Sequence, residues 1–216
     1  MQIKRPIIPD SLKDISDIRD ELQFASEYET DFDFVKISKA HEEGISFGGV
    51  YIKNSIIENC RLINSDFRDC TFINVIIKGC DLSNCNFNNT YFKNCLILSS
   101  KLVGSSFKNT VQIETVYENC NAELTDYNEA KLKNVQLNDC DFSSALICST
   151  EIKNIELKNV KLVNGVFFKT PLRDVNLTDC IIDGLVVSDN GAELKGATVD
   201  VYQAAMFAKL LGLNIE

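Results

Sequence analysis

The chain of 216 residues has no apolar run of membrane-spanning length, and its opening, MQIKRPIIPDSLKD, meets charges and prolines before any stretch long enough for a signal peptide. A cytoplasmic protein that enters no membrane is the expectation. Positive charge is also scarce: 22 Lys and Arg stand against 31 Asp and Glu, a net charge of -9. Phosphate neutralisation needs clustered cations, so direct nucleic-acid binding is not expected, while a basic protein partner is compatible. The one histidine, His41, lies in an irregular His-Glu-Glu-Gly segment and reads as a solvated loop residue. The ten glycines form no phosphate-cradling motif, and the nine cysteines include no CxxC pair of zinc-finger spacing. This inventory points to no enzyme, no cofactor and no metal.

What the sequence has instead is a five-residue period that runs without insertion from Ile45 to Asp189. Along Phe47, Ile52, Ile57, Leu62 and so on to Val187, 27 of 29 positions are large and apolar. Composition alone would give about 13. Only Gln112 and Ala122 depart. Two residues before each lies a second column, Ile45, Val50, Ser55, Cys60 through Leu185, small or β-branched at every position but the last. In extended backbone, residues two apart point to the same side, so both columns face inward and the residue between them faces water. The remaining two residues must turn a corner. The corner column from Gly49 is Asn, Gly or Asp at 22 of 29 positions, the residue types that tolerate left-handed geometry. Eight cysteines (60, 70, 80, 85, 95, 120, 140 and 180) fall in the small inward column, where a thiol packs as a small hydrophobe; Cys148 alone lies off it. Nine free thiols are expected.

Every fourth large residue forms its own series: Phe47, Phe67, Phe87, Phe107, Tyr127, Ile147, Phe167 and Val187 are mostly aromatic, while Leu62, Leu82, Leu102, Leu162 and Ile182 belong to a mostly aliphatic column that Ala122 and Phe142 interrupt. A coil of twenty residues with four sides accounts for both. Cys60-Arg61-Leu62-Ile63-Asn64, Ser65-Asp66-Phe67-Arg68-Asp69 and Cys80-Asp81-Leu82-Ser83-Asn84 resemble the pentapeptide-repeat family. The resemblance implies an all-β fold, a right-handed quadrilateral parallel β-helix. At a strand spacing of about 4.8 Å, the regular coils would stack to roughly 35 Å.

Three regions follow: 1–29 an N-terminal helical cap, 30–189 the β-helix, regular from 45, and 190–216 a C-terminal helix and strand. Leu12, Ile15, Ile18, Leu22 and Ala25 recur at helical spacing, with Ser11 and Asp14 placed like a capping box. Thr30 to Lys39 holds the five-residue register, but Glu42 takes the next interior position, so the first coil is expected to be imperfect. From Asp200 to Leu211 the chain reads as a helix with Asp200 as N-cap and Gly212 as stop, and Leu213-Asn214-Ile215 as a short strand. Tyr202, Met206, Phe207, Leu210, Leu211, Leu213 and Ile215 are many apolar groups for one short helix to hide against a single coil. A homodimer through this end is expected, with a monomeric end cap as the alternative. Gly196 to Leu213 resembles the tail of the Qnr-type quinolone-resistance branch, in which the tail is the dimer interface.

Charge is distributed unevenly. Ile45 to Ile113 carries 4 acids and 7 bases, whereas Glu114 to Asp141 carries 7 acids against Lys131 and Lys133. Glu114, Glu118, Glu123, Asp126 and Glu129 lie beside the two broken interior positions. That stretch is either a drifted coil with a bulge or an acidic partner-binding patch. The Qnr-type resemblance implies a non-enzymatic mimic of DNA that binds DNA gyrase or topoisomerase IV and protects it from quinolones. A structural or scaffolding module of unrelated role is the other reading, since fold alone does not license function.

Overall fold

The computed structural model describes residues 3–210 and 212–214. The chain forms a right-handed, four-sided parallel β-solenoid of about eight turns, with a short α-helix near each end. Strand Tyr51–Glu58 pairs with Thr71–Lys78 in a register of twenty, and Val111–Glu118, Lys131–Asn138 and Glu151–Lys158 continue the same sheet. The left-handed corner recurs every five residues from Glu29 to Asp174, so the coil begins earlier than Ile45. Corners at Asn and Gly are favourable; those at Glu114, Leu124, Glu129 and Lys169 hold side chains that resist this conformation.

Packing follows from the two inward columns. Phe47, Phe67, Phe87, Phe107 and Tyr127 stack along one side with successive ring centroids 4.3, 4.7, 4.8 and 4.7 Å apart. That is the strand spacing itself, so each coil sets the ring of the next. Eight buried cysteines fill the small column, and all nine are free. Burial pushes the thiols of Cys70, Cys85, Cys95 and Cys180 up to about 12.

The ends depart from the sequence expectation in instructive ways. The N-terminal helix, α1 (Ile18–Tyr28), starts six residues, nearly two turns, later than its apolar spacing from Leu12 suggests. Ile15 is spent instead on a strand, Lys13–Ile15, that pairs in parallel with Val35–Ile37. Asp17, rather than Ser11, caps the helix, accepting from the N–H groups of Arg19 and Asp20. His41 lies in a strand, His41–Glu43, paired with Arg61–Ile63, and is exposed there. Glu42 is accommodated at its interior register because Arg19 of α1 reaches it, with Nε 2.7 Å and Nη2 2.6 Å from Oε2.

Residues 3–12, expected to belong to the helical cap, form an extended arm on the solenoid wall. The Ile7 N–H donates to Asn74 Oδ1, Asn74 Nδ2 donates to the Ile7 carbonyl, and Arg5 pairs with Glu118. The wall carries an outward apolar row, Ile56, Ile76, Leu96 and Val116, twenty residues apart. Leu96 and Val116 are 5% and 3% exposed although they point away from the core. The arm is anchored beside this row, at Asn74 and Glu118, and Pro6 between those anchors is buried.

Candidate functional site

The acidic residues singled out from the sequence share one coil, 111–130, but not one face. Glu114 and Glu129 occupy corners, Glu118 ends a strand, and Glu123 and Asp126 lie on the two sides that follow. They encircle the rod as a belt. Two are neutralised locally: Glu118 by Arg5, and Asp126 by Lys108 at 3.0 Å. Glu123 is bonded to Asn121 in its own turn, its N–H donating to Asn121 Oδ1. Among the described residues Glu114 and Glu129 form no ion pair. Elsewhere acids and bases alternate in pairs such as Lys161–Asp141, Lys53–Asp31, Lys36–Glu58 and Arg68–Asp66. The surface is a patchwork rather than a continuous acidic groove.

Nor is there a bulge. The strand Val111–Glu118 pairs in register with the coils on both sides. The irregularity is internal. Tyr117 donates to Gln112 Oε1 at 3.1 Å, and Tyr127 donates to the Tyr117 hydroxyl at 3.2 Å, forming a buried polar chain across the solenoid axis. Ala122 leaves the room this chain and Phe142 need, with the Tyr117 and Phe142 rings edge to face at 6.1 Å. The two broken positions in the large column are thus one substitution in physical terms. Burial raises both phenols above their ordinary range, so they stay protonated donors. Gln112 Nε2 has no hydrogen-bond partner, which leaves a buried donor unsatisfied.

The same coil breaks an outer ladder. Asn74 Nδ2 donates to Asn54 and Asn94 Nδ2 to Asn74, corner over corner, while Asn54 at the foot donates to Asp33 beside the Phe34 corner. Glu114 occupies the next rung and offers no amide. Asn94 Oδ1 is consequently buried without a partner, and the ladder resumes only with Asn154 donating to Asn134.

At the C-terminus, α2 (Val201–Leu210) closes the solenoid. Asp200 and Gln203 form a reciprocal capping box: Gln203 N–H donates to Asp200 Oδ1 at 2.8 Å, and Asp200 N–H to Gln203 Oε1 at 3.0 Å. Gln203 Nε2 also donates to the carbonyls of Leu177 and Cys180, satisfying the open end of the last coil. Phe207 is 8% exposed and belongs to the core of its own chain, with Met206 packed beside it. Phe207 is therefore not free to meet a mate. The residues left outward are Val201 at 81%, Tyr202 at 84% and Leu213 at 59% exposed. Leu213 and Asn214 form no strand. Leu211 and Ile215 lie outside the described residues, as does the side chain of Leu210.

The described residues hold no group of three or more His, Cys, Asp or Glu arranged for a metal ion, and no helix among them is long and apolar enough to cross a membrane. The covered arm row was readable in the sequence as Ile56, Ile76, Leu96 and Val116 at a period of twenty, an outward apolar series with no partner in the repeat itself.

Comparison with known proteins agrees with this geometry. The sequence model described as pentapeptide repeats, in eight copies, matches residues 57–89 and 78–111. No curated protein matches. Among solved structures, a trypsin-treated variant of QnrB1, a plasmid-mediated fluoroquinolone resistance protein, is similar at 19% identity and a TM-score of 0.50, covering 84% of this chain and 100% of that one. The pentapeptide repeat protein Rfr23 from the cyanobacterium Cyanothece 51142 is similar at 14% identity and a TM-score of 0.35, covering 84% and 99%. HetL, a pentapeptide repeat protein involved in heterocyst differentiation regulation from Nostoc sp. strain PCC 7120, is similar at 16% identity and a TM-score of 0.30, covering 85% and 97%.

Proposed function

The chain is a pentapeptide-repeat protein, and from that premise we propose that it is a non-enzymatic binding rod whose partner is a type II topoisomerase, DNA gyrase or topoisomerase IV, shielded by it from fluoroquinolones. The supporting observation is the correspondence of its solenoid with the whole of the trypsin-treated chain of a fluoroquinolone resistance protein. The outer walls, not an interior pocket, are the working surface. Of the acids first considered, Glu114, Glu123 and Glu129 carry no ion pair with described residues and are the ones left to meet Lys and Arg of a partner. Glu118 would have to release Arg5 first.

The patchwork of surface ion pairs favours a second reading, a scaffolding module of unrelated role, because duplex mimicry needs one sign of charge along a face. Supercoiling by purified gyrase and quinolone-induced cleavage, measured with this protein at tens of micromolar or about that range, separate the two. Protection that weakens with added salt and with Glu114→Lys, Glu123→Lys and Glu129→Lys supports the topoisomerase reading. No effect on either reaction leaves the scaffold.

The binding unit is proposed to be a dimer through α2, with Val201, Tyr202 and Leu213 facing the mate. Light scattering at micromolar protein should return twice the mass of the chain, and Tyr202→Asp should halve it without altering the coils. A monomer mass for the unaltered protein removes the dimer.

A further inference from the structure

Along most of the rod, each coil is laced to the one before it through a series of outward residues. The N–H groups of Thr71, Tyr91, Val111, Lys131 and Glu151 donate to the carbonyls of Val50, Cys70, Thr90, Thr110 and Ala130. The next member of that series is Pro171, which has no N–H to give to Thr150. From there the ladder lapses. Strand Glu151–Lys158 is paired on one side with Lys131–Asn138, and no backbone hydrogen bond joins its other side to residues 171–178. Residues 171–178 turn instead to the last coil, through Leu172 to Glu193, Asp174 to Gly196 and Leu177 to Thr198.

Two walls of the solenoid therefore part while the other two stay closed, laced by Leu162 to Ile181, Asn164 to Asp183 and Phe167 to Val186. Side chains pin the parting at its ends: Thr150 N–H donates to Thr170 Oγ1, and Asn159 N–H to Asp179 Oδ2, both at 3.0 Å. Ile152, Ile155 and Leu157 are only partly buried here, whereas in the two inward columns from Ile45 to Val187 every other member but Val50 is fully buried. Behind them an apolar cavity of about 40 Å³ extends from Leu177 to Gln112.

We propose that this parting is a peptide-docking slot, which receives an extended segment between strand Glu151–Lys158 and residues 171–178 as an added strand of the main sheet. The N–H groups of Ile152, Asn154 and Leu157 on one lip and of Asn176 on the other meet no backbone acceptor across the parting among the described residues, and they call for partners that a peptide supplies and an aliphatic or aromatic small molecule does not. The cavity, at about 40 Å³, is also well short of the roughly 150 Å³ that holds a benzene ring. The sheet ends at Glu151–Lys158, so an added strand continues an existing ladder. The occupant must match the coil it joins: apolar residues two apart over Ile155 and Leu157, and Asn or Gly where Asn154 turns the corner. Entry costs the two pinning bonds and widens the slot by about one strand spacing, 4.8 Å. The closed walls opposite serve as the hinge. This site does not depend on the topoisomerase reading.

The test uses the full chain and a fluorescein-labelled octapeptide EIKNIELK, the sequence of strand 151–158, which already satisfies that pattern. Anisotropy should rise saturably with a midpoint at tens of micromolar, or about that, and hydrogen exchange should slow within 151–158 and 171–178. Asp179→Ala removes a pin and should tighten binding several-fold. Pro171→Val restores the missing donor and should weaken it about tenfold or more. No anisotropy change up to about 500 µM, protection elsewhere on the rod, or indifference to both substitutions overturns the proposal. Enhanced fluorescence of anilinonaphthalene sulfonate at the slot without peptide binding would replace the peptide with a small apolar ligand.

Discussion

The coils from Ile45 to Thr110 and those from Val111 onward obey the same register yet differ in how they use it. In the first group the five positions keep their separate tasks: one large inward residue, one small inward residue, one corner and two outward residues. In the second, single positions are reassigned without breaking the period. Gln112 and Ala122 exchange apolar bulk for a buried hydrogen-bonded chain, Glu114 interrupts the corner ladder, and Pro171 removes one donor between coils. A solenoid tolerates such local defects because each coil contacts only its neighbours, so a defect costs stability nearby without erasing the fold.

Deleting equivalent inward bulk in the two groups of coils should have the largest effect. Phe87→Ala removes a ring stacked between Phe67 and Phe107 and should cost about 3–5 kcal/mol. Leu157→Ala, in the partly open coil, should cost roughly half as much, since its side chain is already part-solvated and the site can collapse. Urea titration followed by circular dichroism measures both. Equal losses would mean that the slot is as well packed as the aromatic stack.

A second test concerns the last coil, which depends on a carboxylate. Glu193 Oε1 accepts from the Lys169 N–H at 2.9 Å, and Oε2 from the Ser188 N–H at 3.2 Å. The Ser188 hydroxyl donates to Oε2 as well. Desolvation alone would raise the carboxyl, but these donors outweigh it and hold it below its ordinary value. A depressed folded value means the stabilisation is fully present above the unfolded pKa, near 4.5, and is lost as pH falls through the folded one. Glu193→Ala should cost about 1–3 kcal/mol. It should also speed hydrogen exchange in residues 165–200 while leaving the coils before Val111 unchanged. Uniform acceleration along the chain would contradict the independence of the coils.

The period of five was legible because it is local: alternation sets the walls, and Asn or Gly sets the corners. The remainder was less legible for particular reasons. Ile15 carries an apolar signal that fits a helix and a strand equally, and only pairing with Ile37 decides. The acids of coil 111–130 are adjacent in sequence, but a four-sided coil sends neighbours to different faces, so linear charge density does not become a patch. Phe207 has the same composition signal whether it caps its own core or a partner. Pro171, the one proline inside the repeat, was the visible sign of the parted walls.

A smaller effect should come from repairing the ladder. Glu114→Asn places a residue that tolerates the left-handed corner, relieves a conformation costing about 1 kcal/mol, and gives Asn94 Oδ1 its missing donor. A gain of about 1–2 kcal/mol in urea stability is expected. Glu114→Gln, which keeps the amide but not the corner preference, should recover less. If both behave alike, corner strain is not what distinguishes this coil.

The smallest effect is chemical rather than energetic, and it separates the inward column from the outer wall. Cys148 is the only cysteine not fully buried, and its thiol is raised above the ordinary value by burial of its surroundings. Cys70, Cys85, Cys95 and Cys180 are enclosed and pushed up to about 12, so almost no thiolate exists near neutral pH. All eight inward cysteines are enclosed and out of reach of a reagent, so iodoacetamide at about pH 8 should label Cys148 alone in the folded protein, more slowly than a free thiol. Because the thiolate is the reacting form, the rate should still rise as pH increases above that point. Denatured protein should take label at all nine positions. Early labelling of Cys180 with Cys148 would show that α2 opens often enough to expose the last coil, and would place the weak point of the rod at its C-terminal end.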